Sequence, residues 1–462
     1  MPEYDLVVIG SGPAGEKGAA QAGYFKKRVA VVERLPILGG AGANTGTLPS
    51  KTLRETSLYL SGFRQRGMYG VEMRLTGRTG VKELLFRERA VAMEEQVRVS
   101  QNLRSHGADV YQGKGRLLDA NTVVVRRPGA EERLTGKVIL VATGSTPFHP
   151  PLFNFQAPGI YDSDTILQMT EVPHSLVVVG GGVIGCEYAC TFAALGIPVT
   201  LVEARTPLLS FLDLEMSARL KARMEDLGVQ FRMPDTVESV DVEEGRITLG
   251  LKDGEAIAAA AVLVASGRSA NTQGIGLEEA GVKLGERGRV LVNSHFQTSV
   301  PNIVAAGDVI GFPALASTSM EQARVAVAHA FALYPKDALA PVLPYGLYTI
   351  PELSTAGETE ESLQKAGVDY VVGRAAYATN ARGQIIGDGG GFLKLIFRKE
   401  DLKLLGVHVI GEQASELVHI GLTALLCGAG AQLFIETCYN YPTLSELYKY
   451  ATYNAMAQRN PI

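Results

Sequence analysis

These 462 residues carry no surplus of positive charge: 44 Lys and Arg stand against 48 Asp and Glu, for a net charge of −4. A phosphate backbone needs a cationic surface to neutralise it, so nucleic acid is excluded as the main partner. Long hydrophobic runs are missing too. The longest, Ala256–Ala265, falls well short of the about 18 apolar residues of a spanning helix, so no membrane insertion is expected. No basic stretch leads into an apolar one at the start, so no signal peptide is expected and the cytoplasm is the expected compartment. Cysteine is limited to four residues, too few for a disulfide scaffold. The seven histidines show no ligand spacing, so no metal is expected, and His408 and His419 read as structural. What remains is an ordinary globular composition, 46% hydrophobic and 20% charged, long enough for about three domains.

Against that plain background one unit occurs twice. Residues 5–33, DLVVIGSGPAGEKGAAQAGYFKKRVAVVE, align with residues 175–203, SLVVVGGGVIGCEYACTFAALGIPVTLVE, at a constant offset of 170 and without a gap. Each copy reads as an apolar strand, a G-x-G-x-x-G turn, a helix, a second strand and a closing glutamate. The glycines are Gly10, Gly12 and Gly15, then Gly180, Gly182 and Gly185; the acids are Glu33 and Glu203. The first glycine permits the tight turn, the second lets backbone approach a pyrophosphate, and the third lets helix and strand pack closely. The helix N-terminus offers free N–H groups to the phosphates, and the acid bonds ribose hydroxyls. One such turn is weak evidence; two complete copies predict two dinucleotide sites.

Other segments fit around the copies. VILVATGSTP (138–147) reads as a strand ending in Ala142-Thr143-Gly144, VLVASGR (262–268) repeats the idea after the second copy, and IVAAGDV (303–309) ends in Gly307-Asp308. The predicted organisation is α/β: two Rossmann-like dinucleotide-binding domains and a C-terminal α+β domain. The first domain is expected to be discontinuous, residues 1–150 with 273–338, around an inserted second domain at 151–272. Lys336–Pro341 reads as a linker to a third domain at 342–462.

In these motifs the chain resembles the two-dinucleotide flavoprotein family of glutathione reductase and dihydrolipoamide dehydrogenase. The resemblance covers essentially the whole chain. It implies FAD in the first site, a nicotinamide nucleotide, NAD(H) or NADP(H), in the second, and a C-terminal domain that forms a homodimer interface. It assigns Gly10, Gly12, Gly15 and Glu33 to the FAD adenosine diphosphate, sets Thr143 and Gly144 along the FAD, and puts Asp308 at its ribityl chain. Lys51 and Glu187 are expected to pair beside the flavin ring. Gly180, Gly182, Gly185, Glu203, Arg205 and Gly267 are expected to hold the nicotinamide nucleotide.

The family's redox loop is G-G-x-C-x-N-x-G-C-x-P-S-K. Residues 39–51 here are GGAGANTGTLPSK, with Gly42 and Thr47 at the two cysteine positions. The family ends with H-P-T-x-x-E, its histidine a base for the thiol; residues 441–446 are YPTLSE. Free tyrosine has a pKa near 10, which makes it a poor thiol base at neutral pH, and Tyr441 is expected to pack and hydrogen-bond instead. All four remaining cysteines, Cys186, Cys190, Cys427 and Cys438, read as buried and structural. The thiol-exchange groups are gone while the nucleotide motifs are whole.

These departures resemble one branch of the family, the Si-specific pyridine nucleotide transhydrogenases, as do TGTLPSKTLR (45–54), YDSD (161–164), GDVIGFPALA (307–316) and NYPT (440–443). That resemblance implies hydride movement between NADPH and NAD through one site, by a ping-pong route via FAD. Two alternatives stay open: an NAD(P)H:quinone or dye reductase on the same frame, and a non-catalytic flavoprotein subunit or redox sensor. Glu203 favours the free 2′-hydroxyl of NAD, and Arg205 offsets its charge towards a 2′-phosphate, so NAD(H) is expected to be preferred over NADP(H).

Overall fold

A strand whose residues are all apolar has to be covered on both faces, and Leu6-Val7-Val8-Ile9 is such a strand. In the computed structural model of the protein it lies at the centre of a seven-stranded sheet. Residues 1–62, 80–243, 245–333 and 338–459 are described; Lys336 and Asp337 of the expected linker lie outside them. Parallel neighbours run Ala108–Gln112, Val29–Glu33, Glu3–Ile9, Ala130–Val141 and Ile303–Ala305. Lys114–Leu117 and Thr122–Arg127 add an antiparallel hairpin to the first half of the long strand 130–141. Side chains alternate with period two. Leu6, Val8, Val29, Val31 and Leu140 meet the helices Pro13–Tyr24 and Ala316–Ala330 on one face. Val7, Ile9, Val32, Ile139 and Val141 meet Leu117, Val123 and Val125 of the hairpin on the other.

The second copy builds a second parallel sheet in the order Val229–Arg232, Val199–Val202, Leu176–Val179, Ala261–Val264, Ile160–Tyr161. A three-stranded antiparallel sheet over residues 237–259 covers one face of it through Ile247, Leu249 and Leu251. A two-stranded ribbon, Ser145–Pro147 against Arg268–Ala270, carries the chain between the two sheets. Arg268 fastens that ribbon. Its Nε donates to Ser145 Oγ at 2.8 Å, its Nη2 to Ser145 O at 2.9 Å, and its Nη1 reaches Asp164 Oδ1 at 3.3 Å.

The last unit is a five-stranded antiparallel sheet, ordered Tyr345–Leu347, Leu353–Gly357, Leu404–Ile410, Phe392–Arg398, Tyr370–Ala376. Leu393, Leu395 and Phe397 face the helices Ala414–Leu426 and Leu447–Arg459. Phe392, on the alternate face, joins the core of the second unit with Leu353 and Ile410. Lys394 shares that alternation, and its side chain is wholly buried. Its ammonium sits 2.7 Å from Asp213 Oδ1, 3.1 Å from Glu215 Oε2 and 2.5 Å from Glu360 Oε1. Arg374 braces Glu215 from outside at 2.8 Å. Asp213 also caps the helix Leu214–Asp226 through Glu215 N, so the cluster fastens the second unit to the third.

Cys186 and Cys190 are buried as expected, but Cys427 and Cys438 are exposed. Cys427 ends the helix Ala414–Leu426, and Cys438 follows the helix Ala431–Glu436, both outside the packed helix faces. No helix among the described residues is long and apolar enough to cross a membrane.

Candidate active site

The two glycine turns repeat to the level of single atoms. Gly10 and Gly180 hold φ of +106° and +107°, and a β-carbon on either would lie 2.4 Å from Ala142 O or 2.6 Å from Ala265 O. A β-carbon on Gly15 or Gly185 would lie 1.8 or 1.9 Å from the carbonyl oxygen of Gly10 or Gly180. Helix and turn therefore touch backbone to backbone, and no side chain fits between them.

The middle glycines differ from these. Both have extended backbone that any residue adopts, with φ of −66° at Gly12 and −72° at Gly182. A β-carbon on Gly182 would meet no atom within 4 Å, and one on Gly12 would meet only Gly40 Cα at 3.8 Å and Gly39 O at 4.0 Å. The protein's own packing does not require glycine at either position. Glycine at both leaves the backbone free for a ligand to approach closely, as a pyrophosphate would. The two cradles also differ in cover. The first is roofed by the 39–46 segment, with Gly39 N donating to Ser11 Oγ at 3.1 Å; the second is open.

The closing carboxylates repeat as well. Ser11 N donates to Glu33 Oε2 at 2.9 Å and Leu35 N to Glu33 Oε1 at 3.0 Å. In the second copy, 170 residues on, Gly181 N donates to Glu203 Oε2 at 2.7 Å and Arg205 N to Glu203 Oε1 at 2.9 Å. Side chains then break the symmetry. Ser11 Oγ donates a further bond to Glu33 at 2.7 Å, whereas Arg205 Nε donates to Glu203 at 3.0 Å from a side chain that is 76% exposed. Burial pushes the Glu203 carboxyl up, but the Arg205 side chain and the two backbone N–H groups outweigh it and hold it below the ordinary value.

Thr143 and Gly144 come together with Asp308 at the first turn, although both the turn and Asp308 lie more than 100 residues away in sequence. Thr143 Cα is 3.4 Å from the position of a Gly10 β-carbon, and Gly144 follows it directly. Thr143 Oγ1 is buried and has no hydrogen-bond partner among the described residues. A buried hydroxyl without a partner is costly in a finished protein and fits a site completed by a polar ligand. Asp308 Oδ2 accepts from Ser145 Oγ at 2.8 Å and so stands beside the same strand end. These features suit the residues expected to hold FAD.

Lys51 and Glu187 form an ion pair of 2.5 Å. Lys51 lies on the helix Thr47–Leu60 after the 39–46 segment, and Glu187 on the helix Val183–Ala194 after the second glycine turn. Glu187 Oε1 also accepts Tyr348 N at 2.9 Å, and the Lys51 ammonium lies 5.1 Å from the Tyr348 ring centroid. All three units meet at this pair. Glu187 is almost fully buried, while the Lys51 side chain stays 27% exposed, so the carboxylate fixes a cation that keeps an open side.

Gly42 and Thr47 supply no thiol. A β-carbon on Gly42 would meet Pro13 Cγ at 2.8 Å, so the loop here packs more tightly on the first glycine turn than a side chain at 42 permits. The rest of the frame is held: Asn44 Nδ2 donates to Leu38 O at 3.0 Å and Gly40 O at 2.8 Å, and Ser50 Oγ to Gly46 O at 2.7 Å. Cys186 and Cys190 do not substitute. Burial pushes the Cys186 thiol well up, and that of Cys190 up to about 12, so neither forms the thiolate that exchange chemistry needs. Tyr441 is 75% exposed in the chain. Gly267 has φ +106° and follows the strand Ala261–Val264, beside the second turn.

Sequence reasoning missed Ser11, Arg268, Tyr348 and the Lys394 cluster. Ser11 carried a signal, because it lies inside the glycine motif. The others act through contacts more than 100 residues apart, which no local pattern shows.

Two dinucleotide cradles, a lysine–carboxylate pair between them and no thiol define the class: a two-site flavoprotein oxidoreductase without a redox disulfide. The comparisons agree. Residues 4–330 match the pyridine nucleotide-disulphide oxidoreductase family and residues 343–452 its dimerisation domain. The chain belongs to that family. It is 46% identical to the soluble pyridine nucleotide transhydrogenase of Mycobacterium tuberculosis, over 99% of this chain and 98% of that one. It is 40% identical to the protein of the same name from Marinomonas, over 98% of each chain. Among solved structures, LpdA from Mycobacterium tuberculosis matches with a TM-score of 0.91 at 25% identity, over 98% of this chain and 99% of that one. RclA from Escherichia coli, an HOCl-induced flavoprotein disulfide reductase in its Cu(II) complex, matches with a TM-score of 0.89 at 26% identity over the same shares.

Proposed function

We propose that this protein is an FAD-dependent pyridine nucleotide transhydrogenase that moves hydride between NADPH or NADH and NAD or NADP. The observation that carries the reading is the pairing of two whole dinucleotide cradles with a redox loop that has no sulfur. The full-length likeness to proteins named soluble pyridine nucleotide transhydrogenase supports it. A bound FAD supplies hydride acceptance from one nicotinamide nucleotide and donation to another.

In this reading Gly10, Gly12, Gly15, Glu33, Thr143, Gly144 and Asp308 hold the FAD. Gly180, Gly182, Gly185, Glu203, Arg205 and Gly267 hold the nicotinamide nucleotide. Lys51, fixed by Glu187, offsets negative charge that develops beside it during transfer. Gly42 and Thr47 complete the loop without entering the chemistry. The domain division we assign is 1–150 with 273–338, 151–272, and 342–462. The matched dimerisation domain supports a homodimer in which the exposed Tyr441 is covered by the partner, in the cytoplasm.

The test is an oxygen-free assay of FAD-loaded protein with NADPH as donor and thio-NAD as acceptor, run beside a benzoquinone. Turnover with thio-NAD is expected. Turnover with quinone alone, from NADH alone, would replace this reading with a quinone reductase. Protein whose flavin NADH and NADPH both fail to bleach would be a non-catalytic flavoprotein.

A further inference from the structure

We propose that Arg287 is a further nucleotide-binding residue, a clamp on the pyrophosphate of whichever nicotinamide nucleotide occupies the second glycine turn. The inference rests on the reading that this turn holds such a nucleotide. Three observations carry it. Arg287 has φ 55° and ψ 28°, a left-handed backbone that a residue with a side chain adopts at a cost. Its guanidinium crosses from the segment leading to the first sheet into the second unit: Nη1 lies 3.3 Å from the position of a Gly267 β-carbon. Gly267 directly follows Ala265-Ser266, whose backbone Gly180 packs against. Finally, Arg287 is exposed and forms no ion pair among the described residues; its guanidinium carbon lies 5.9 Å from the Phe148 ring centroid.

The turn is built to hold this pose. Thr272 Oγ1 donates to Gly288 O at 2.8 Å, Gly288 N to Gly285 O at 3.2 Å, and Phe148 N to Gly267 O at 2.9 Å. A strained backbone is kept where it does something, and here it holds an uncompensated cation at the carboxyl-end edge of a parallel sheet, where such sheets bind ligands. Guanidinium and phosphate match in shape and charge. The pyrophosphate is common to NAD(H) and NADP(H), so this contact is indifferent to the 2′-position, unlike that of Arg205.

The test is calorimetric titration of FAD-loaded protein with NAD and with NADP, in unsubstituted protein and in Arg287→Gln, Arg287→Lys and Arg287→Gly, with thermal unfolding of each. Both dissociation constants are expected to rise about tenfold in Arg287→Gln, the worth of one charge-assisted bond. Arg287→Lys recovers part of the loss. Arg287→Gly loses binding too yet unfolds no earlier, because glycine suits the left-handed backbone. Unchanged affinities in the Gln and Gly variants, beside unsubstituted protein that binds both nucleotides, would overturn the role of Arg287 alone. So would a loss of affinity matched by a falling melting temperature in every variant, or a loss confined to NADP. Unsubstituted protein that binds neither nucleotide would overturn the functional reading and this inference with it.

Discussion

Replacing Gly182 with alanine separates what the fold requires from what a ligand requires. The added β-carbon meets no protein atom within 4 Å, and φ of −72° is comfortable for alanine. Two small opposing terms act on stability. Removing a glycine stiffens the unfolded chain, worth about 0.4–1 kcal/mol, while alanine is a poorer N-cap than glycine by a similar amount. The net change is expected within about 1 kcal/mol. For a chain of this size the unfolding entropy makes that about 1 °C in melting temperature. A pyrophosphate resting on the Gly182 backbone would collide with the new methyl group. Overpacking of that kind costs about 1–3 kcal/mol, which weakens binding by about 5- to 150-fold. The neighbouring Gly185→Ala is the control: its β-carbon would sit 1.9 Å from Gly180 O, so fold and binding fail together. Titration of FAD-loaded protein with NAD, alongside thermal unfolding without nucleotide, reads both quantities. Unchanged NAD affinity in Gly182→Ala would refute the cradle; a fall of several degrees in melting temperature would refute the open space.

Four further outcomes are expected. Arg205→Gln should lower kcat/KM for NADPH about tenfold, the worth of a charge-assisted bond, and leave NADH within about twofold; equal losses for both would show that Arg205 does not read the 2′-position. Lys394→Met leaves Asp213 and its neighbours without their buried cation, at about 3–5 kcal/mol, or about 3–5 °C in melting temperature; melting within about 1 °C of the unsubstituted protein would refute the lock. In the unsubstituted protein burial raises the Glu215 carboxyl, but Arg374 and Lys394 outweigh this and hold it down at about 2. A depressed carboxylate contributes stability that is whole above its ordinary value and lost as pH falls, so acid titration should unlock the second and third units between about pH 4.5 and 2. Tyr441→Phe should leave flavin bleaching by NADH within about threefold; a loss of about a thousandfold, the scale of a missing acid or base, would give the tyrosine a chemical role.

How much of this the chain announces depends on the distance over which each contact acts. The glycine turns and their carboxylates were legible because strand, turn and helix are local and the unit occurs twice. Lys51 and Glu187 were found only through family likeness, since either alone reads as a helix-surface charge. Nothing near Lys394 in sequence says that the alternation of its strand will bury it against a different unit. The exposure of Cys427 and Cys438 was missed for the complementary reason: cysteine is usually inside, and only the helix ends at which these two fall decide otherwise.

The repeated unit has a kinetic consequence. Both copies offer the same turn, the same helix end and the same carboxylate, so recognition alone does not make one ligand a permanent resident and the other a visitor. Cover does. A β-carbon on Gly12 would lie 3.8 Å from Gly40 Cα of the 39–46 segment, while one on Gly182 would face open space. A dinucleotide under the roof would have to pass that segment to leave; one on the open copy would not. Residence time is set mainly by the rate of departure, so the same cradle, repeated and differently roofed, is expected to give a slow site and a fast site in a single chain.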